Sequence, residues 1–173
     1  MEKMNARQAK DMLLYVADSI IEAKPMLTEV DSAIGDGDHG IGMAGGLKKA
    51  KDKLLKMDEP DDVYTVFAAA GKAMLMSMGG ASGVIFGSMF LGGAKGAEPA
   101  AEVSPVEFAD MMKSSLAAIK ERGKAEVGDK TMVDALSPAV DAMLAYAEEG
   151  FVPMLDKAQE AARCGMESTK DFE

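Results

Sequence analysis

Three aspartates within eight residues are the side chains of this sequence with the clearest chemical use. Asp31, Asp36 and Asp38 stand in the stretch VDSAIGDGDHG, and glycines flank the last two. Carboxylates held this close repel one another, and a hard divalent cation removes that cost. Oxygen ligands suit Mg²⁺ or Ca²⁺ better than Zn²⁺. The spacing therefore predicts a magnesium site whose ions meet phosphate oxygens. The alternative is a capped, solvated turn with Asp38 as a helix N-cap.

Two common loop motifs do not explain the aspartate stretch. The run from Gly35 to Gly40 matches G-x-G-x-x-G, but no strand precedes it. Its acids would also repel a pyrophosphate that came without metal. An EF-hand starting at Asp36 would need glycine at its sixth position and glutamate at its twelfth, where Ile41 and Leu47 stand. The magnesium interpretation is therefore kept.

Other polar residues of the sequence could contact an anion beside the aspartates. His39, the one histidine, stands at a loop-to-helix junction. A structural hydrogen bond, a phosphate contact and, least favoured, a phosphohistidine are its open interpretations. The glycines from Gly79 to Gly83 either allow close helix packing or let backbone N–H groups and the Ser82 hydroxyl approach a phosphate. The polar loop 123–131 carries residues of the capping type.

Composition narrows the class of protein. The net charge of −10 argues against nucleic-acid or membrane-surface partners, and an anionic ligand would need metal ions or helix N-termini to bind. One cysteine, Cys164, excludes an internal disulfide framework and is expected to be half-buried in a helix. Sixteen methionines predict a Met-filled core. The charged N-terminus is no signal peptide and no apolar run could span a membrane, so a cytoplasmic protein is expected.

Apolar residues recur at helical spacing along most of the chain, whereas no stretch alternates long enough for a strand. We predict N-caps at three positions, Asn5, Asp61 and Ser104. Met26–Val30 is a short apolar stretch that leads into the aspartate loop. Pro138 should kink a helix or mark its first turns. The predicted helices are 5–24, 40–56, 63–78, 104–122, 132–149 and 153–169, with an apolar, Gly-spaced segment at 84–97. We predict one all-α domain of about seven or eight helices.

Three blocks of the sequence together resemble one protein family. They are Asp31-x4-Asp36-Gly-Asp38-His39-Gly40, then 79–83 (GGASG), then 123–132 (GKAEVGDKTM). In order and spacing they are similar to the signature blocks of the ADP-binding L subunit of dihydroxyacetone kinase. The similarity runs along nearly the whole chain. It implies a single L-type domain, residues 1–173, folded as an antiparallel helical barrel of eight helices with a nucleotide at one end.

The resemblance also implies roles for individual residues. Asp31, Asp36 and Asp38 would hold two Mg²⁺ ions that bridge the nucleotide phosphates. The implied nucleotide-binding residues are His39, Gly40, Ile41, Gly42, Ala81, Ser82, Gly123 and Met132. In the phosphotransferase-system form of the family, ADP stays bound and an M-type phosphohistidine protein rephosphorylates it in place. The phosphoryl group then passes to dihydroxyacetone on a separate K subunit, so no covalent intermediate on this chain is expected.

Two departures from the family pattern are visible. Gly42 and Gly45 stand where some members carry Asn and Arg. The family usually continues beyond Glu173 into a Gly/Arg-rich stretch and a last helix, so we expect either a truncated chain or a short variant with altered nucleotide binding. Two alternatives stay open: a subunit of an ATP-dependent kinase for dihydroxyacetone or another small ketose, and a lid-less, non-catalytic partner-binding module. A homodimer is compatible with all of them.

Overall fold

The computed structural model describes residues 2–172, and these form eight α-helices and one short pairing of extended segments. The helices are α1 (Ala6–Glu22), α2 (Lys24–Ser32), α3 (His39–Leu55), α4 (Val63–Ser77), α5 (Gly80–Ala94), α6 (Pro105–Gly123), α7 (Val133–Tyr146) and α8 (Phe151–Ser168). The extended segments are β1 (Met4–Asn5) and β2 (Glu102–Val103), and 3₁₀ turns follow α7 (Ala147–Glu149) and α8 (Thr169–Asp171). This composition confirms the predicted all-α fold.

The helices pack mainly on their neighbours in sequence. From α3 to α8 each helix contacts the next, while α1 and α2 pack on α3 and α1 also reaches α4. A row of aromatic rings joins four of them: Phe67 lies 6.4 Å from Phe90 and 6.2 Å from Phe108, and Phe108 lies 5.7 Å from Phe151, between ring centroids. The predicted Met-filled core is confirmed by the buried side chains of Met4, Met43, Met74, Met78, Met111, Met143 and Met154.

The segment before the aspartates differs from its prediction. Met26–Val30 is not a short lead-in but lies inside α2, which has Pro25 in its first turn. A proline is tolerated there because the N–H groups of a first helical turn have no partner within the helix. The chain therefore turns helical again immediately after α1. As a consequence, Asp31 lies in the last turn of a helix rather than in the loop.

Several smaller features were not predicted or differ from their prediction. The apolar, Gly-spaced segment at 84–97, for which no helix bounds were predicted, lies mostly in α5, which begins at Gly80 and ends at Ala94. An antiparallel pairing joins Met4 to Val103 and Asn5 to Glu102, and it is too short to leave an alternating pattern. Cys164 is exposed rather than half-buried.

Among residues 2–172, no helix combines the length and the apolar character that crossing a bilayer requires.

Asp62, and not the predicted Asp61, caps α4. Its carboxylate accepts hydrogen bonds from the N–H groups of Tyr64 (3.2 Å), Thr65 (3.0 Å) and Ala100 (2.9 Å). Partial burial favours the neutral acid, but the hydrogen bonds from the Thr65 hydroxyl and from these N–H groups outweigh it and hold the pKa of Asp62 below its ordinary value. One side chain thus starts α4 and fixes the loop before β2.

We expect Asp62→Ala to lower the free energy of unfolding at pH 7 by roughly 1–2 kcal/mol, as for other lost N-caps. The exposed neighbour provides a matched control, Asp61→Ala, with a near-neutral effect. Because the folded-state pKa of Asp62 is lowered, its stabilisation is complete above the unfolded-state value of about 4 and is lost as pH falls through the folded-state pKa. Urea unfolding at several pH values checks this. Equal losses in the two variants would contradict the assignment of the cap.

Candidate functional site

The three aspartates predicted to bind metal lie together in the structure. Asp31 is in the last turn of α2, and Asp36 and Asp38 are in the loop between α2 and α3. One carboxylate oxygen from each lies within 4.8 Å of the others. Asp31 is half-buried, whereas Asp36 and Asp38 are exposed. The aspartate cluster therefore opens to solvent, and a cation can reach it.

Backbone contacts hold the aspartate loop in a tight turn. The N–H of Gly35 donates to the carbonyl oxygen of Asp31 (2.6 Å), and a Cβ at Gly35 would come within 2.5 Å of Asp31 Oδ1. The N–H of His39, at the start of α3, donates to Asp31 Oδ2 at 3.3 Å, and the N–H of Asp38 donates to Asp36 Oδ1 at 3.4 Å. Asp38 is the N-cap residue of α3, but its side chain makes no capping hydrogen bond. Capping therefore does not use its carboxylate.

The chemistry of the aspartate cluster fits a hard cation bound to an anion. Three carboxylates this close repel one another unless a positive charge lies between them. Every side-chain donor in the cluster is an oxygen, which suits Mg²⁺ or Ca²⁺. α3 begins at His39, directly after the aspartate loop, and the N-terminus of a helix favours an anion. The residues are therefore compatible with magnesium and phosphate bound side by side.

The N-termini of α3 and α5 meet beside the aspartate cluster. His39 is the first residue of α3, and its Nδ1 lies 3.5 Å from the hydroxyl oxygen of Ser82 in the first turn of α5. This contact is long and the proton position depends on the tautomer of the imidazole. Two helix N-termini and two polar side chains thus converge next to three carboxylates, as an anion site bridged by metal requires.

The glycines at the start of α5 have different surroundings. A Cβ at Gly83 would come within 2.4 Å of the carbonyl oxygen of Met78, so this glycine allows close packing of the chain. A Cβ at Gly79 or Gly80 would meet nothing within 4 Å. Their backbones are accessible, and glycine there leaves N–H groups open to a ligand. The packing and the anion-binding interpretations therefore apply to different glycines of the same run.

An apolar cavity of about 570 Å³ extends from the first turns of α5 to the C-terminal end of α6 and the start of α7. Three residues of the predicted nucleotide site line it, namely Ala81, Gly123 and Met132. The rest of the wall is apolar except for Arg122 and Thr131. This volume lies within the range of small-molecule sites, which are mostly apolar with a few polar groups. Because Ala81 and Ser82 are adjacent, the cavity (the apolar cavity below) borders the contact between Ser82 and His39.

Three further predicted residues follow His39 in the first turn of α3, outside the apolar cavity. Gly40 is buried against α2, since a Cβ there would come within 2.4 Å of the carbonyl oxygen of Lys24. Ile41 is 57% exposed, and Gly42 is exposed with nothing within 4 Å of a Cβ built there. A Cβ at Gly45 also meets nothing within 4 Å, so larger side chains would fit at both positions where some family members carry them. The nucleotide contacts of Gly40, Ile41 and Gly42 stay predictions.

Asp134 is an organising residue that the sequence reasoning missed. It is only 2% exposed, and its two carboxylate oxygens accept hydrogen bonds from the N–H groups of Gly128 (2.6 Å) and Thr131 (2.7 Å). These two bonds hold the pKa of Asp134 below its ordinary range. Gly128 needs its φ of 104° for this turn. The loop 124–131, one wall of the apolar cavity, is therefore fixed by a buried carboxylate.

A sequence signal for Asp134 was present. Thr131 and Asp134 have the spacing of a capping box, [ST]-x-x-[DE], at the start of a helix. The hydroxyl oxygen of Thr131 accepts a hydrogen bond from the N–H of Val133 (3.2 Å), and the carboxylate of Asp134 accepts one from the N–H of Thr131. The pattern predicts the bond from the N–H of Thr131 to the Asp134 carboxylate, but it places the N–H of Asp134, and not that of Val133, on the Thr131 hydroxyl. The bond to Gly128 lies outside the pattern because it requires the loop to fold back.

Fold and site together define an all-α protein with a cluster of oxygen ligands beside an apolar cavity. Comparison with known sequences is consistent with that class: residues 33–173 match the DAK2 domain family. The chain therefore belongs to the DAK2 domain family.

Individual relatives carry the comparison further. The ADP-binding subunit DhaL of PEP-dependent dihydroxyacetone kinase 1 from Listeria innocua is 37% identical over 155 residues, covering 90% of this chain and 73% of that protein. The corresponding Escherichia coli subunit is 32% identical over 168 residues, covering 96% and 80%. This chain also matches two further DhaL subunits, and in each case the match covers 58% of the length of that subunit.

A solved structure confirms the predicted fold class. The crystal structure of the Citrobacter freundii dihydroxyacetone kinase in complex with AMP-PNP and Mg²⁺ superimposes with a TM-score of 0.80 at 28% identity. The superposition covers 100% of this chain and 30% of that kinase. The same arrangement of helices thus occurs in a protein crystallised with a nucleotide analogue and magnesium.

We expect Asp134→Asn to loosen the loop 124–131 without unfolding the helices, because an amide offers one oxygen where two N–H groups need acceptors. Hydrogen exchange should become faster at the amides of Gly128 and Thr131, while the core of α4 keeps its protection. The exposed Asp129, which accepts one bond from the N–H of Glu126 at 2.8 Å, supplies the control Asp129→Asn. Unchanged protection at Gly128 in Asp134→Asn would contradict the role given to this carboxylate.

Proposed function

We propose that this chain is the nucleotide-holding subunit of a phosphoenolpyruvate-dependent dihydroxyacetone kinase. In this proposal ADP stays bound with magnesium, an M-type phosphohistidine protein rephosphorylates it in place, and the phosphoryl group passes to dihydroxyacetone on a separate K subunit. The observation that carries the proposal is a continuous path from Asp31 through His39 and Ser82 to Ala81 and the apolar cavity. The relatives from L. innocua and E. coli, both ADP-binding subunits, support it.

The path suggests how a nucleotide would lie. The base and ribose would occupy the apolar cavity against Ala81, Gly123 and Met132. The phosphates would then extend past Ser82 and His39, where the N–H groups at the starts of α3 and α5 favour negative charge. Ser82 would donate its hydroxyl hydrogen to a phosphate oxygen. This orientation keeps the apolar and the charged parts of the ligand on matching surfaces.

The aspartate cluster would hold the magnesium, with two ions as the proposed number. Bound Mg²⁺ would neutralise the negative charge of the phosphate oxygens, which is the main requirement of phosphoryl transfer. Asp31, Asp36 and Asp38 would supply the oxygen ligands, and the hydrogen bond from the His39 N–H to Asp31 would orient one of them. In a chain with a net charge of −10, this is how an anion can be bound without a basic pocket.

The chain itself is not proposed to carry the phosphoryl group. Phosphoryl transfer depends on positioning and on charge neutralisation more than on a nucleophile of the protein. The imidazole of His39 faces the hydroxyl of Ser82 and follows directly on the aspartate loop. Neighbouring carboxylates would repel a phosphorylated imidazole, so His39 is proposed as a phosphate contact and no residue as a covalent intermediate.

Exposed apolar residues near the site support docking of partner subunits. Ile34 in the aspartate loop is 99% exposed, and Val127 in the loop of Asp134 is 59% exposed. Large exposed apolar side chains gathered near one site are typical of protein interaction surfaces. We propose that K-type and M-type proteins use this end of the molecule in turn, in the cytoplasm. Magnesium-bound ADP would remain in place between the two encounters.

An ATP-dependent kinase subunit is the second candidate. It is favoured by the structural likeness to the C. freundii dihydroxyacetone kinase, which was crystallised with the ATP analogue AMP-PNP. The two candidates differ in nucleotide exchange. ADP that stays bound through purification favours the phosphoenolpyruvate-dependent route, and rapid exchange of ADP for ATP favours the second candidate.

We expect Asp36→Asn and Asp38→Asn each to abolish Mg²⁺-dependent ADP binding, because a neutral amide neither balances the charge of the ion nor replaces a carboxylate ligand. Helix content measured by circular dichroism should stay unchanged, since both side chains are exposed. Asp58→Asn, an exposed acid in the loop between α3 and α4, is the matched control. Wild-type affinity in either variant of the cluster would refute the metal assignment.

Ser82→Ala is expected to weaken ADP binding modestly, by roughly fivefold, which corresponds to about 1 kcal/mol for one lost hydrogen bond. Calorimetric titration in the presence of Mg²⁺ checks the magnitude. A matched variant, Ser77→Ala, removes a hydroxyl that bonds within α4 at 2.7 Å and should leave the affinity unchanged. No loss in Ser82→Ala would contradict the contact proposed between the Ser82 hydroxyl and a phosphate oxygen.

A further inference from the structure

A second cavity lies on the same helix face as the apolar cavity but farther from the aspartates. It has a volume of about 570 Å³ and lies over α5, between α4 and α6. Its wall includes Ser88 and Leu91 on α5 and Lys95 directly after it, and these residues recur at helical spacing. The same face of α5 continues toward its N-terminus as Ala81 and Ile85, which line the apolar cavity. The two cavities therefore lie end to end along one helix.

The second cavity, called the basic cavity below, is defined by Lys72, Lys95, Arg122 and Glu121 among its charged residues. Three cations against one acid leave an excess of two positive charges. Within residues 2–172, none of these cations is part of a salt bridge. In a chain with 29 acidic and 19 basic residues, such an excess runs against the charge of the whole protein. The groove between α3 and α4 has the same excess, with Lys49, Lys53 and Lys56 against Asp52, but its wall has no leucine.

The three cations of the basic cavity have different neighbours. Arg122 borders the apolar cavity as well, and Lys95 also borders a smaller cavity with Glu107 and Asp110. Lys72 on α4 is therefore the cation whose removal tests the basic cavity with least effect elsewhere.

The remaining wall of the basic cavity is mostly apolar. Leu75 on α4, Leu91 on α5 and Ala118 on α6 contribute apolar surface, and the hydroxyl of Ser88, a residue only 8% exposed, adds one polar group. Ligand sites typically combine an apolar wall with a few placed polar groups in a volume of this size. Arginine and lysine side chains recognise phosphate through charge-assisted hydrogen bonds.

We propose that the basic cavity is a second ligand site, which binds a small organic phosphate monoester with an apolar body. A phosphate monoester carries a charge of roughly −2 at pH 7, which matches the excess charge of the cavity. Its phosphate would meet Lys72 and Arg122, and its organic part would lie on Leu75 and Leu91. The proposal goes beyond the proposed function, because it requires neither ADP nor magnesium nor the aspartate cluster.

The test uses phenyl phosphate as the probe and phenol as its uncharged counterpart, titrated into the full chain in EDTA and followed by NMR. We expect saturable binding of phenyl phosphate, with shifts at α4, α5 and α6, and much weaker binding of phenol. Lys72→Gln should lower the affinity for phenyl phosphate by roughly fivefold, which is the loss expected when one solvent-exposed, charge-assisted contact is removed. The control Lys49→Gln, in the neighbouring groove between α3 and α4, should leave it unchanged.

Each other outcome would overturn the proposal. These are no saturable binding, equal binding of phenyl phosphate by wild type and Lys72→Gln, or shifts confined to the aspartate loop. A titration of ADP with Mg²⁺ on the same samples separates this proposal from the proposed function. Lys72→Gln should keep the wild-type ADP affinity, since Lys72 lies outside the apolar cavity. Loss of phenyl phosphate binding with intact ADP binding in the wild type would count against the basic cavity alone.

Discussion

The repulsion among three carboxylates is the constraint on which the site depends. Asp31, Asp36 and Asp38 come from the end of one helix and from the loop that follows it, and they are held within 4.8 Å of one another. The chain enforces this through the turn at Gly35 and through the N–H of His39, which bonds to Asp31. An arrangement that costs free energy in the unliganded chain becomes favourable once a divalent cation is bound.

The placement of helix N-termini complements the aspartate cluster. α3 and α5 both start beside it, so their N–H groups face the region where the anionic part of a nucleotide would lie. The apolar cavity lies on the other side of Ser82, where it is formed by α5, α6 and the loop that Asp134 holds. The charged groups of the site therefore lie on one side of Ser82, and its apolar surface lies on the other side. An acidic protein can bind an anionic ligand in this way without a basic pocket.

The clustering of the three aspartates was predictable from sequence because it is local. The spacing of Asp31, Asp36 and Asp38 predicted a cluster, and the cluster is present. The helical state around Asp31 was not predicted: Pro25 was expected either to end the first helix or to start the next turn, and only the structure shows that α2 begins there and runs on to Ser32. Asp62 and Asp134 were missed for another reason. Besides the bonds at its own helix start, Asp62 accepts one from the N–H of Ala100 and Asp134 accepts one from the N–H of Gly128, and the fold of the chain brings these donors near.

The most direct test of the central claim is a calorimetric titration of ADP into the 173-residue chain, with and without Mg²⁺, after any carried nucleotide has been stripped. The account predicts tight binding that requires Mg²⁺, because the carboxylates repel the phosphates until the ion compensates them. Binding of equal strength in EDTA would contradict it, since the aspartate cluster would then have no part in holding the nucleotide. A folded chain that binds no ADP under either condition would contradict the proposed function itself.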